Sequence, residues 1–213
     1  MTDIEKKFGS IENAVKEAIK FHGKCKYTPG IIIGVYMLDF GLKKFYEEFK
    51  EKEGNPVRFN VVCETDWCLP DVFQILMHLT LGNRYMHIVK TDGKFAYALY
   101  DRKDGNGVRV FINLEKLNKD GEIYKFFTRT RDNIVHTDAK IRSLSNRKIF
   151  YEYMDIADKF EIFGYKKVHV NIPAKVEYLP AKICKICGES FLSKDKEICL
   201  TCSGEKKAYF TYL

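Results

Sequence analysis

The sequence predicts an α+β protein: a core domain with a mixed or antiparallel sheet and helices, followed by a small cysteine-rich module. Three observations predict it. A segment opening at Pro29–Gly30 carries Ile31, Ile32, Ile33, Val35, Met37, Leu38, Phe40 and Leu42, apolar almost all round, so it reads as a buried helix. Two alternating stretches, Lys94–Tyr100 and Val108–Asn113, flank Asp104–Gly105–Asn106–Gly107 and read as a β-hairpin. Cys184, Cys187, Cys199 and Cys202 crowd the C-terminus. A central helix between strands, with hairpin-connected strands afterwards, argues against strict βαβ alternation.

Along the chain, Ser10 is an N-cap candidate, and Ile11, Ala14, Val15, Ala18 and Ile19 follow with helical spacing to about Phe21. Gly23 ends that helix and leaves His22 in its last turn. The apolar helix is expected from Pro29 to about Lys52, before the turn signal Gly54–Asn55–Pro56. Val57–Cys63 alternates and reads as a strand. Pro70 suits the first turn of a short helix from Asp71 to about Leu79. Helical signals return over 114–127 and 143–160, and Lys167–Ile172 alternates again.

The expected division is a core over 1–172, a linker over 173–181 and a finger over 182–213. Of 213 residues, 46% are hydrophobic and 31% charged, which excludes a wholly disordered chain. The apolar run at Ile31–Ile33 breaks at Gly34, far short of the roughly 20 residues of a membrane span, and the N-terminus lacks a signal-peptide pattern. The expected compartment is the cytoplasm, with no membrane partner. The formal charge of +7 concentrates mid-chain: Lys125, Arg129, Arg131, Lys140, Arg142, Arg147 and Lys148 face only Asp132 and Asp138 between Lys125 and Lys148.

Cys184-x2-Cys187 and Cys199-x2-Cys202 have the spacing that sets four thiolates around one tetrahedral Zn²⁺ at about 2.3 Å. Gly188 lets the backbone turn after the first pair. With a helix expected from Cys202 to about Phe210, the arrangement is a treble-clef zinc finger. Four protein ligands close the metal's coordination, so this zinc is structural. The tail has six Lys, no Arg and four acids, so it is neutral once metallated and a poor phosphate binder.

His22–Gly23–Lys24–Cys25 places an imidazole and a thiol three apart in a helix-to-loop turn, and Cys68 falls beside a helix N-terminus, where the dipole favours thiolate. At these residues the chain resembles the formylmethanofuran dehydrogenase FmdE family. The family's opening motif, His-Gly-His-x-Cys-Pro-Gly, is matched by His22, Gly23, Cys25, Pro29 and Gly30. Lys24 replaces the second His, and three residues are inserted before Pro29. Its second motif is matched by Cys68, Asp71, Gln74, Thr80 and Gly82, with His78–Leu79 where Gly-Cys is common. Gly93–Lys94–Phe95–Ala96 resembles the family's Gly-Lys-aromatic-Ala strand, and some members carry the Cys-x2-Cys-Gly-Glu start seen at Cys184–Glu189.

The resemblance implies an α+β core, a treble-clef finger, an intertwined homodimer and protein partners in an enzyme complex, with the pterin redox chemistry on other subunits. The first functional expectation is therefore a metal-binding accessory protein. The alternatives are a zinc-containing regulator that binds a protein partner or nucleic acid, the latter through Lys125–Lys148, and a metal-dependent enzyme using the core. His22, Cys25 and Cys68 are expected to converge on a second divalent-metal site with an open fourth position, Asp71 orienting a ligand from behind. Other residues read as ordinary structure: Cys63 as a core thiol, His78 as a structural histidine, and His87, His136 and His169 as surface or structural. Phe126, Phe127, Phe150, Tyr151 and Tyr153 read as core or dimer interface.

Overall fold

In the computed structural model, which describes residues 3–23, 27–89, 93–171 and 178–210, the chain forms two compact units, Met1–Ile172 and Pro173–Leu213. The first begins with α1 (Asp3–Phe8) and α2 (Ile11–His22). Ser10 caps α2, its Oγ accepting from the Asn13 N–H, and Gly23 closes it in the left-handed conformation with its N–H on the Ile19 carbonyl.

The central helix, α3 (Pro29–Glu48), is shorter than the sequence predicts; Lys50–Lys52 is a 3-10 turn. Every residue from Ile31 to Leu42 is buried. Its apolar girth is thus consumed inside the chain by α2, α4 (Leu69–Met77), α7 (Ala139–Asp155) and the sheet.

The sheet has five strands in the order β2 (Met86–Ile88), β1 (Phe59–Cys63), β3 (Ala96–Asp101), β4 (Asn106–Ile112), β5 (Phe163–His169). β1 and β2 are parallel and the other neighbours antiparallel, so the sheet is mixed. The register aligns Cys63, Tyr97 and Val110 in one row and Val61, Leu99 and Val108 in the next. All six are fully buried. Their shared face is the one α3 covers: Tyr97 Oη donates to the Met37 carbonyl at 2.6 Å, and a Cβ on Gly41 would meet Val110 at 3.2 Å. Cys63 is a core thiol as expected, and burial pushes its pKa up. On the opposite face Arg109 makes a bidentate pair with Glu64, Nε to Oε1 at 2.6 Å and Nη2 to Oε2 at 2.7 Å.

Other boundaries also moved. The helix expected over 114–127 divides into a 3-10 turn (Leu114–Lys116) and α5 (Glu122–Thr128), because Asn118 turns the chain by accepting from the Asp120 and Gly121 N–H groups. α5 is capped from a distance: Glu152 Oε2 accepts from the N–H groups of Glu122 at 2.6 Å and Ile123 at 3.3 Å. A short α6 (Ile134–Thr137) follows, and Asp138 caps the start of α7, well before the expected Ser143. β5 pairs along the whole of β4 and begins at Phe163 instead of Lys167.

In the second unit, β6 (Ala181–Ile183) and β7 (Ser190–Leu192) form a hairpin. The helix expected from Cys202 does not form within the described residues. Gly204 takes φ +77°, and the Lys206 N–H returns to the Leu200 carbonyl, which closes a turn. The module is a knuckle, a hairpin and a turn, and its four gathered cysteines fit a zinc finger.

Candidate functional site

Two places carry metal-capable chemistry. In the second unit, ligand atoms of Cys184, Cys187, Cys199 and Cys202 all lie within 4.8 Å of one another. Backbone geometry gathers them. The Gly188 N–H reaches the Cys184 carbonyl, the Cys184 N–H reaches the Glu189 carbonyl, and the Lys185 N–H ties the knuckle to the Glu197 carbonyl. The Cys199 N–H donates to Cys184 Sγ at 3.3 Å. Backbone N–H groups of Cys199 and Cys187 lower the Cys184 pKa to about 6, while hydrogen bonding to Cys199 raises that of Cys202 to about 12. Four thiols this close share protons until a cation replaces them, so the group could hold one metal ion.

The other place is in the first unit, where three stretches of the family motif meet. His22 in the last turn of α2 puts Nδ1 2.6 Å from Asp71 Oδ2 in the first turn of α4. Asp71 Oδ1 accepts from Gln74 Nε2 at 3.4 Å. A carboxylate that accepts the Nδ1 proton leaves the lone pair of a neutral imidazole on Nε2, the tautomer that suits a metal ligand. Asp71 therefore holds His22 directly.

Cys68 precedes α4 at φ 51°, ψ −50°, and the Leu69 N–H turns back to the Trp67 carbonyl. This is a γ-turn with positive φ, a conformation L residues rarely hold. The turn presses Cys68 against the start of α3. A Cβ on Gly30 would lie 2.7 Å from Cys68 Sγ and 3.6 Å from the Phe95 ring. The glycine of the first motif's Pro-Gly is explained by this approach: only a residue without a side chain fits beneath the Cys68 thiol.

Cys25, with Lys24, lies outside the described residues, so the expected triad of His22, Cys25 and Cys68 is represented by two members. Among the described residues the core gathers no three His, Cys, Asp or Glu ligand atoms within 4.8 Å of one another. Thr80, the motif's later polar residue, exchanges hydrogen bonds with Asn83, while Asn83 Nδ2 reaches the His78 carbonyl. That residue shapes the loop into β2. His78 caps α4 in the left-handed conformation and meets Lys7 Nζ at 3.1 Å, a structural role.

Sequence reasoning missed a cleft of about 720 Å³ beside Cys68, whose walls include Trp67, Phe95, Phe127, Arg109 and Arg129. The mid-chain cations do not form one uniform patch. Arg129 stacks on Trp67 with its guanidinium 4.2 Å from the ring centroid, Arg131 is half-buried over Phe126, and Arg147 sits over Tyr27 and Tyr151.

Known proteins agree with the motifs. The family described as FmdE, molybdenum formylmethanofuran dehydrogenase operon, matches residues 21–160. A solved tungsten formylmethanofuran dehydrogenase FmdE-like protein from Syntrophus aciditrophicus superposes with a TM-score of 0.70 at 29% identity, covering 93% of this chain and 95% of that one. A curated protein from Archaeoglobus fulgidus, named "Probable S-adenosyl-L-methionine-binding protein", is 29% identical over 195 residues, 88% of this chain. The chain spans about half the length of that relative, 51%. Among the described residues no helix is long and apolar enough to cross a membrane. With its motif residues joined across α2, α3 and α4 and the family match spanning the core, the chain belongs to the formylmethanofuran dehydrogenase FmdE family.

Proposed function

We propose that this chain is a metal-binding accessory protein of the FmdE type, which works with protein partners in an enzyme complex and does not itself carry the pterin redox centre. The observation that supports the reading is that residues of the two motifs are paired at the ends of three helices: Asp71 contacts His22 and Gln74, and Cys68, three residues before Asp71, is seated on Gly30. In this reading His22 and Cys68, with Cys25, hold a divalent metal that keeps a coordination position open, and Asp71 fixes the imidazole. The four tail cysteines hold a structural Zn²⁺, which suits four thiolates at two x2 spacings.

The testing experiment is metal analysis of the full chain purified without added metal. Two equivalents per chain are expected. His22→Ala and Cys68→Ser each remove one equivalent and keep the other, whereas Cys184→Ser removes the zinc alone. One equivalent that His22→Ala and Cys68→Ser leave untouched would overturn the core metal site.

We also infer a homodimer from the family resemblance. α3 supplies no interface, since the chain itself buries it, but Ile134, Leu144 and Tyr151 are exposed on α6 and α7. Sedimentation should give twice the 24.9 kDa chain mass; a monomer at micromolar concentration would contradict it.

A further inference from the structure

We propose that the cleft beside Cys68 binds a planar aromatic anion, a small molecule with a flat ring and a carboxylate, sulfonate or phosphate. Cys68 lines this cleft, but the ligand is held by aromatic rings and guanidinium groups and needs no metal, so the proposal goes beyond the accessory role.

The lining decides the chemistry. Its volume of about 720 Å³ falls in the range of about 300–1,000 Å³ usual for small-molecule sites. Aromatic rings come from separate parts of the chain: Trp67 before α4, Phe95 just before β3, and Phe126 and Phe127 of α5. Phe95 and Phe127 meet at 5.1 Å and Phe126 and Phe127 at 5.0 Å, so they form one continuous wall. A flat ring gains both burial and offset stacking against such a wall.

The charge is one-sided. Lys94, Arg109 and Arg129 line the cleft, and among the described residues no carboxylate does. Glu64 grips Arg109 through Nε and Nη2 from outside the lining, which fixes the guanidinium and offsets its charge, and Arg129 supplies the positive charge at the mouth. Arg129 lies on the Trp67 face 4.2 Å from its centroid, and Trp67 is 53% exposed, so ring and cation stand ready at the mouth. Aromatic residues could also cage a cation. Here Arg129 already covers the Trp67 face, and the residual positive charge repels a cationic ligand. An anion placed on Arg109 and Arg129 gains charge-assisted hydrogen bonds while its ring meets the Phe95–Phe127 wall.

Trp67 is the single tryptophan of the chain, so its fluorescence reports on this cleft alone. The full chain is titrated with 2-naphthoate, cyclohexanecarboxylate, 2-naphthylmethylamine and sulfate, followed by Trp67 emission and by calorimetry. One 2-naphthoate per chain should bind at least about tenfold more tightly than each of the others, because only it satisfies both ring and charge. Arg129→Ala and Phe95→Leu should each weaken it about tenfold or more, while exposed Arg142→Ala leaves it unchanged. Absence of saturable 2-naphthoate binding to millimolar concentration, equal binding of the amine, or undiminished binding by Arg129→Ala would overturn the proposal. A chain lacking core metal that still binds 2-naphthoate overturns only the metal reading, so the two fail separately.

Discussion

His22 and Asp71, 49 residues apart, meet at 2.6 Å and join the end of α2 to the start of α4. The imidazole is 12% exposed, so the carboxylate satisfies a polar group that water barely reaches. In the proposed core metal site the same contact would set which nitrogen faces the metal.

Replacing Asp71 by Asn keeps the shape but removes the charge that orients the imidazole. Stability should fall by about 1–2 kcal/mol, and affinity for the proposed core metal by roughly 10- to 100-fold. Thermal denaturation and metal titration of the full-length variant check the two effects, and unchanged metal affinity would show that Asp71 only braces the helices.

Gly30→Ala should be costly out of proportion to one methyl group. The new Cβ would meet Cys68 Sγ at 2.7 Å and Cys68 Cβ at 3.0 Å, inside a γ-turn with little freedom to yield. A loss of about 1–3 kcal/mol is expected from the urea midpoint. Gly82→Ala, whose nearest contact would be Thr80 Oγ1 at 3.8 Å, serves as the near-neutral control.

Tyr97→Phe tests the link between sheet and helix. The hydroxyl is fully buried and donates to the Met37 carbonyl of α3 at 2.6 Å. Its loss leaves that carbonyl without this donor, at a cost of about 1–3 kcal/mol measured by chemical denaturation.

Cys184→Ser should abolish metal binding in the tail and the amide protection of 182–210, and leave exchange in the core unchanged. Hydrogen exchange by mass spectrometry reads both units at once. Full zinc retention would sink the four-thiolate site.

Zinc binding to the metal-free tail at pH 7 should release about two protons or more. Cys184, at about 6, is already largely thiolate at that pH, whereas Cys187 and Cys202, held above their usual values, must give theirs up. Affinity therefore rises as pH rises through this range. Calorimetry in buffers of different ionisation enthalpy counts the protons, and a value near zero would contradict the assignment.

Local chemistry made much of this molecule legible in its sequence. Ser10 and Gly23 bracket α2 because caps act on neighbouring backbone groups. The apolar girth of Ile31–Leu42 required a helix buried on all sides, and the two x2 cysteine pairs required a common centre. Distant partners decided the rest. β2, three residues long, is too short to show a period and exists because Met86–Ile88 pairs in parallel with Val61–Cys63. α5 takes its cap from Glu152, which no local pattern reveals. The expected tail helix failed where Gly204 turned the chain. Motif spacing named His22, Cys68 and Asp71, but their relationship, the γ-turn seated on Gly30 and the aromatic, cationic cleft beside it come from packing α2, α3, α4, α5 and the sheet together. Spacing fixes which groups are near in sequence; only burial of the apolar faces fixes which groups meet in space.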